Sequence, residues 1–198
     1  MIKVKDKSAC CGCAACVQIC SKQCISLDED KEGFLYPTVN RNLCIECGKC
    51  EAVCIELHSF EVHEPLKFFA AQHFDESVQA ASSSGGIFTL LAETVINDGG
   101  VVFGARFDSD WSVVHDFTET HEGLQAFRGS KYLQSRIGNT YRQAGKFLKA
   151  GRKVLFSGTP CQIAGLKRYL HKNYENLLAV DFVCHGVPSP LVWKKYLE

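Results

Sequence analysis

The constraint that dominates this chain is the placement of its cysteines. Ten of the twelve fall between Cys10 and Cys54, and eight of those make two copies of one spacing. The first copy is Cys10, Cys13, Cys16 and Cys20; the second is Cys44, Cys47, Cys50 and Cys54. Each reads C-x2-C-x2-C-x3-C, the ligand run of two-cluster iron–sulfur modules. Thiolates spaced in this way along a tight loop wrap one cube of iron and sulfide, with backbone N–H groups aimed at the sulfurs. The fourth cysteine begins the next helical turn and faces away, so it reaches the other cube. The expected ligation is therefore crossed. Cys10, Cys13, Cys16 and Cys54 hold one 4Fe-4S cluster, and Cys44, Cys47, Cys50 and Cys20 hold the second. Two clusters close together in one small module carry electrons singly, as a conductor does.

The proline that usually follows the fourth cysteine is replaced by Ser21 and Ile55. Its loss loosens the turn but removes no ligand. Cys11 and Cys24 fall outside the pattern and read as bystanders. A disulfide framework is one alternative for so many cysteines, but the internal repeat and the lack of a secretory leader argue against it. A pair of structural zinc sites is the nearer alternative, since zinc also takes four thiolates. Such sites usually separate two C-x2-C knuckles by a longer loop, whereas here three cysteines run in sequence before the fourth.

A chain of 198 residues holds one ordinary domain plus a small module. The cluster region offers little apolar core, so metal binding must supply much of its folding energy. The remainder is richer in Phe, Val, Leu and Gly and can bury a conventional core. Basic and acidic residues balance at 22 each, which argues against a nucleic-acid binder driven by phosphate neutralisation. No run of 18 apolar residues exists, hence no membrane span is expected. Reduced thiolate ligands fit a cytoplasmic, oxygen-poor setting.

The local pattern predicts an α+β protein: a two-cluster bacterial ferredoxin-like module over 1–62, then a mixed α/β domain over 68–198, truncated at the C-terminus. In the module, Ile2 and Val4 alternate as a strand would, Cys16 to Cys20 form one helical turn, and Ile25 with Leu27 pairs with a returning strand over 33–37. A linker spans 58–67. Phe68 to His73 reads as a strand whose aromatics enter the core. Ile87 to Ile96 has helical periodicity, and Val101 to Phe107 is a buried strand with an antiparallel partner over 111–118. Gly104 within it implies a close approach to the backbone. An amphipathic helix follows over 140–150, then a strand at Val154, a helix from Pro160, and an apolar strand from Leu177. Ser189 caps a last helix of barely two turns. Its apolar face, with Trp193 and Leu197, lacks a neighbour, so the chain reads as a fragment or as a surface that a partner chain covers.

Three segments between these elements carry chemistry. Ser82, Ser83, Ser84, Gly85 and Gly86 lead into a helix start, where hydroxyls and free N–H groups suit a phosphate; the bland reading is an N-cap in a loop. Gly129, Ser130, Lys131 and Tyr132 follow Arg128, and the two cations could neutralise a phosphate or a reduced flavin. The equal alternative is a solvated loop. Thr159 caps the helix that begins at Pro160 and is a candidate cofactor contact, and Cys161 in its first turn is expected to have a lowered pKa and to act as nucleophile, redox thiol or ligand; the bland reading is a buried cysteine packed under the sheet. Cys184 and His185 sit at the end of the last strand, where α/β proteins usually place sites. No G-x-G-x-x-G follows a strand, so a conventional NAD-binding half is not indicated.

Taken together, these motifs resemble the family of beta subunits of deazaflavin-reducing hydrogenases and formate dehydrogenases, which includes plant and cyanobacterial hydroxymethyl-chlorophyll reductases. The resemblance rests on the double cysteine run, S-S-S-G-G at Ser82 to Gly86, G-S-K-Y at Gly129 to Tyr132, G-T-P-C-Q at Gly158 to Gln162 and D-F-V-C-H-G at Asp181 to Gly186. It implies two 4Fe-4S clusters, an FAD beside the Ser82 to Gly86 and Gly129 to Tyr132 segments, and a pocket or cluster role for Cys161 and Cys184. It further implies an iron–sulfur flavoprotein oxidoreductase passing electrons between the clusters and a two-electron substrate. Its partners would be ferredoxin or another redox protein, a small-molecule electron donor or acceptor, and a partner subunit or second copy. The alternative is an electron-transfer subunit without its own substrate site.

Overall fold

A computed structural model describes residues 1–58 and 65–198. The expected linker and the boundary at residue 62 fall largely outside the described residues. Helix α1 (Ala15–Ile19) follows the first cysteine loop, strands β1 (Ile25–Glu29) and β2 (Leu35–Val39) form an antiparallel hairpin, and α2 (Lys49–Ala52) follows the second loop. After α3 (Glu76–Ala80) and α4 (Ile87–Asn97) come the antiparallel strands β3 (Val101–Phe107) and β4 (Val113–Thr118). Helix α5 (Thr140–Lys149), strand β5 (Val154–Gly158), helix α6 (Pro160–Leu170), strand β6 (Leu177–Asp181) and helix α7 (Pro190–Leu197) complete the order. The larger sheet runs β4-β3-β5-β6, with β3, β5 and β6 parallel.

Strand alternation divides the core, because successive side chains point to opposite faces. Val102 and Leu155 pack with Ala92 and Val95 of α4 and with Leu124 and Phe127 of a 3-10 turn. Val101, Phe103, Val154 and Phe156 face the other way, against Tyr141 and Ala144 of α5 and Leu166 of α6. Ala14, Ala15 and Val53 of the cysteine-rich module join this second cluster. The module is thus seated on α5 and α6 and shares their core. Arg142 fixes the seat, its backbone N–H donating to Gln18 Oε1 and its guanidinium to the Gln18 carbonyl, both at 3.1 Å.

Most predicted elements are present, with three departures. The first residues form no strand; Ile2 is buried and its N–H donates to Cys50 Sγ at 3.2 Å, so that backbone is spent on sulfur. The segment from Phe68 to His73 is also not a strand, and Phe68 and Phe69 are exposed rather than in the core. No sheet edge receives it; instead the His73 N–H donates to the Gly85 carbonyl, and the segment lies along the serine–glycine loop. Gly104 does meet a close neighbour, but it is the Phe127 ring, 3.3 Å from where a Cβ would stand. Helix α7 is tethered by two hydrogen bonds, Ser189 Oγ to the Glu32 carbonyl at 2.6 Å and Trp193 Nε1 to the Trp111 carbonyl at 2.9 Å, but none of its residues is buried and Leu197 is exposed.

Candidate redox site

The two cysteine loops are conformational copies. In the first, Gly12 and Ala14 have φ of 65° and 60°; at the same positions of the second, Glu46 and Gly48 have φ of 51° and 74°. Each loop then enters a short helix, capped by Ala14 and Gly48 respectively. Holding Ala14 and Glu46 in the left-handed region costs about 1–2 kcal/mol each, so the shape is imposed by what the loops surround. Cys16, Cys20, Cys44, Cys50 and Cys54 all pack against the small core of Ile2, Cys24 and Ile25. A pocket between the second loop and residues 20–25 is lined by Cys20, Cys24, Cys44, Cys47 and Cys50.

The chemistry of this donor set suits an iron–sulfur group, although among the described residues no three Cys, His, Asp or Glu side chains already stand close enough to hold one metal ion. Burial raises the Cys10 thiol, and burial with the charges of Cys10, Cys54 and Cys50 pushes Cys16 up to about 12. Half-buried thiols that repel one another as thiolates are stabilised by binding cationic iron. The Ile2 N–H aimed at Cys50 Sγ is the kind of backbone donor that cluster sulfurs attract. Cys11 and Cys24, which the spacing leaves out, are not remote from the site. The Cys20 and Cys24 sulfurs are 3.4 Å apart, and the Cys11 and Cys161 thiols are close enough to perturb one another.

Cys13 faces the sheet domain. Its Sγ lies 3.2 Å from where a Cβ on Gly165 would stand. Cys161, at the start of α6, is therefore beside the first loop. Its thiol is 3.1 Å from Thr159 Oγ1. The expected drop in its pKa does not occur. The thiol is pushed up, chiefly by the neighbouring Cys11 thiol and then by burial, and these outweigh the helix terminus.

Beneath Cys161 runs a buried polar chain that sequence reasoning missed. The Thr159 N–H donates to Gln162 Oε1 at 2.9 Å, Gln162 Nε2 donates to Ser135 Oγ at 2.8 Å, and Ser135 lies 2.8 Å from His115 Nδ1. His115 Nε2 stands 2.9 Å from the Ser157 carbonyl. A carbonyl only accepts, so Nε2 carries the proton and Nδ1 accepts from the Ser135 hydroxyl. Burial lowers His115 to about 4, consistent with a neutral ring. The one signal in the sequence was period two in β4, which puts His115 on the same inward face as Val113.

The segment over 128–136 links these parts. At one end the Ser130 N–H donates to Ser83 Oγ at 2.6 Å, joining the two segments expected to flank a phosphate. In its middle Gln134 Nε2 donates to the Cys11 carbonyl at 3.1 Å, and the next residue is Ser135 of the buried chain. Ser82 Oγ is turned inward to the Val78 carbonyl at 2.7 Å, while Ser83 and Ser84 are exposed. Gly86, with φ of 76°, opens α4 and frees its first N–H groups. Arg128 Nε is buried without an acceptor among the described residues. Lys131 Nζ donates to the Ala126 and Arg128 carbonyls at 2.9 and 2.8 Å, and burial lowers it to about 8. Arg128 Nη2 stands 3.7 Å from Glu93 Oε1 in the middle of α4; its unpaired Nε–H and the half-buried lysine would suit the phosphate end of a dinucleotide. Tyr132 is exposed. Cys184 and His185 are also exposed, and no hydrogen bond among the described residues joins them to Cys161. Among the described residues no helix is long and apolar enough to cross a membrane.

Comparison with known proteins agrees with the motifs. Residues 151–198 match the family described as the C terminus of the coenzyme F420 hydrogenase/dehydrogenase beta subunit. The chain is 25% identical over 206 aligned residues to a coenzyme F420-dependent sulfite reductase of Methanocaldococcus jannaschii, covering 98% of this chain and 30% of that protein. It is 24% identical over 196 residues to the F subunit of the F(420)H(2) dehydrogenase of Methanosarcina mazei, covering 92% of this chain and 55% of that protein. The chain thus spans about a third to a half of the length of these relatives.

Proposed function

Because this chain belongs to the family of coenzyme F420 hydrogenase/dehydrogenase beta subunits, we propose that it is the electron-relay portion of an iron–sulfur flavoprotein oxidoreductase. In this reading Cys10, Cys13, Cys16 and Cys54 hold one 4Fe-4S cluster and Cys44, Cys47, Cys50 and Cys20 the other. FAD binds with its phosphates between the α4 start and Arg128, held by Ser83, Ser84, Gly85, Gly129, Ser130 and Lys131. When bound, such clusters pass electrons singly and a flavin exchanges them in pairs with a hydride carrier.

The protein's part is to hold the two ends at a fixed distance. The observation that carries the reading is the segment over 128–136, hydrogen-bonded to the serine–glycine loop at Ser83 and to the first cysteine loop at Cys11. Arg128 and Lys131 supply positive charge to the phosphates, and the shared core of Ala15, Val53 and Leu166 keeps the module from swinging away. The names of both relatives make a deazaflavin the first two-electron partner to test. Since one relative is a subunit of a larger dehydrogenase, a second reading is an electron-transfer subunit that passes electrons to a partner chain.

The test is anaerobic purification followed by iron, sulfide and flavin quantification, with spectra before and after dithionite. About eight irons and one FAD per chain support the relay. Eight irons without flavin favour the electron-transfer subunit, and neither iron nor flavin after reconstitution overturns both readings.

A further inference from the structure

Charge is balanced over the whole chain but not along it. The stretch over 140–175, which runs from α5 through β5 and α6, carries eight of the 22 lysines and arginines and one of the 22 acidic residues, Glu175. Three of the eight are committed within the chain: Arg142 to Gln18, Arg152 to Glu119 at 2.7 Å and Lys153 to Asp98 at 2.6 Å. The other five are gathered where α5 and α6 end. Lys146 and Lys149 are in the last turn of α5, Lys167 and Arg168 in the last turn of α6, and Lys172 follows its C-cap, His171. The lack of a side chain at Gly145 brings the two ends side by side, since a Cβ there would stand 3.4 Å from Leu170 Cδ2 and 3.8 Å from Tyr169 Cε1. Lys146, Lys149, Lys167 and Lys172 are exposed and form no ion pair among the described residues.

The helix dipoles do not use up this charge. Each helix C-terminus contributes about half a negative charge, so two of them together with Glu175 offset roughly two of the five cations. The make-up of the surplus says what it meets. Phosphate sites are built from helix N-termini and arginine forks, whereas these cations are mostly lysines around helix carbonyl ends. No large apolar side chain over 140–176 is exposed, so there is no ring for a base to stack on and no wedge to enter a bilayer. Ammonium groups on long stems, without an apolar centre, suit a short-lived encounter with a carboxylate-rich protein surface. Electron-transfer partners use small, charge-steered interfaces of this class. The place fits as well. Gly165, whose missing Cβ admits Cys13, is on the same helix as Leu170 and less than two turns before it, about 8 Å along the axis.

We propose that Lys146, Lys149, Lys167, Arg168 and Lys172 form the docking face for an acidic electron-transfer protein, which exchanges single electrons with the cluster that Cys13 ligates. In each exchange one electron leaves the reduced protein and enters the oxidised one, with no bond made or broken. The inference rests on the relay reading above.

The experiment is anaerobic stopped-flow mixing of the full, cluster-loaded chain, reduced with dithionite and desalted, with two oxidised acceptors of opposite charge: rubredoxin, which is acidic, and cytochrome c, which is rich in lysine. Wild type is compared with the triple variant Lys146→Glu, Lys149→Glu, Lys172→Glu and with the corresponding triple to Arg, and iron is measured on every sample. For wild type the rate to rubredoxin is expected to fall about tenfold as ionic strength rises from about 0.01 M to 0.15 M, where the screening length shrinks from ~30 Å to ~8 Å. The rate to cytochrome c should not fall. At low salt the glutamate triple should be about tenfold slower toward rubredoxin, with its iron intact and its rate to cytochrome c undiminished. The arginine triple keeps the charge and should match wild type. A wild-type rate to rubredoxin that is flat or rises with salt overturns the proposal, as does a glutamate triple that reduces rubredoxin as fast as wild type. Equal slowing toward both acceptors also overturns it, because charge is then not what the variant changed. Binding of a short DNA duplex or a phosphatidylglycerol vesicle that outcompetes rubredoxin, and that the glutamate triple abolishes, would make the face a phosphate site instead. Wild-type protein that takes up no iron and sulfide defeats the relay reading itself, a different result from any of these.

Discussion

Gly165 and Cys13 are in direct contact across the junction: a Cβ at Gly165 would stand 3.2 Å from Cys13 Sγ and 3.0 Å from the Tyr141 hydroxyl. Both neighbours are committed, Tyr141 to the Gln162 carbonyl and Cys13 to the cysteine loop. Gly165→Ala is therefore expected to overpack the site, at a cost of about 1–3 kcal/mol. Lower thermal stability together with reduced iron content is the expected outcome. A variant with full iron and an unchanged melting temperature would show that Cys13 is free to move away.

The seat of the module makes a second prediction. Ala15 is fully buried among Tyr141, Ala144 and Leu166, so its small size sets how closely α1 approaches α5 and α6. Ala15→Leu adds methylenes to a closed core and is expected to destabilise by about 1–3 kcal/mol. Because the core is shared, module and sheet domain should unfold in one transition in the wild type and in two in the variant, read by calorimetry. Two transitions in the wild type would mean that the shared core does not couple them.

Much of this arrangement was legible in the sequence, and the reason is local chemistry. The repeated cysteine spacing, the Pro160 helix start and the alternation of Val101 to Phe107 each encode their own structure within a few residues. What the sequence hid was long-range. The Cys11–Cys161 contact joins positions far apart in the chain, and Gln134 meets Cys11 only because the module is seated on α5 and α6. Helix propensity correctly placed Cys161 in a first turn, yet the charge argument failed because a neighbouring thiol and burial, neither visible in sequence, outweighed the dipole. Phe68 and Phe69 misled for the converse reason: apolar side chains make a strand only where an edge is open to receive it.

Lys131 gives a pH dependence. Burial lowers it to about 8, so the ammonium is charged below that pH and loses its proton above it. Its carbonyl partners, Ala126 and Arg128, hold the group in place in either form. If the site takes the FAD phosphates, affinity should fall about tenfold between pH 7 and 9, the scale of one charge-assisted hydrogen bond. Lys131→Arg, which stays charged, should flatten the profile; Lys131→Gln should bind weakly at both pH values. Flavin fluorescence quenching measures it, and a flat wild-type profile would count against a phosphate at Lys131.

His115 predicts the opposite behaviour, a loss on acidification. The groups that face it are Ser135, the Ser157 carbonyl and the stacked Phe156 ring, none of them charged. Its folded pKa of about 4 lies below the unfolded value of about 6.5. As pH falls through 6.5 the unfolded chain takes up a proton that the folded chain refuses until near pH 4, so stability declines across that window and is unaffected above it. The full effect is on the order of 3 kcal/mol. Protonation would also remove the acceptor at Nδ1 and turn the Ser135 hydroxyl away, loosening the support under Gln162 and Thr159. His115→Gln cannot titrate, and so should melt lower than wild type at pH 7.5 but lose less between pH 7.5 and 5. Parallel pH profiles for the two proteins would show that this ring is not what makes the junction acid-sensitive.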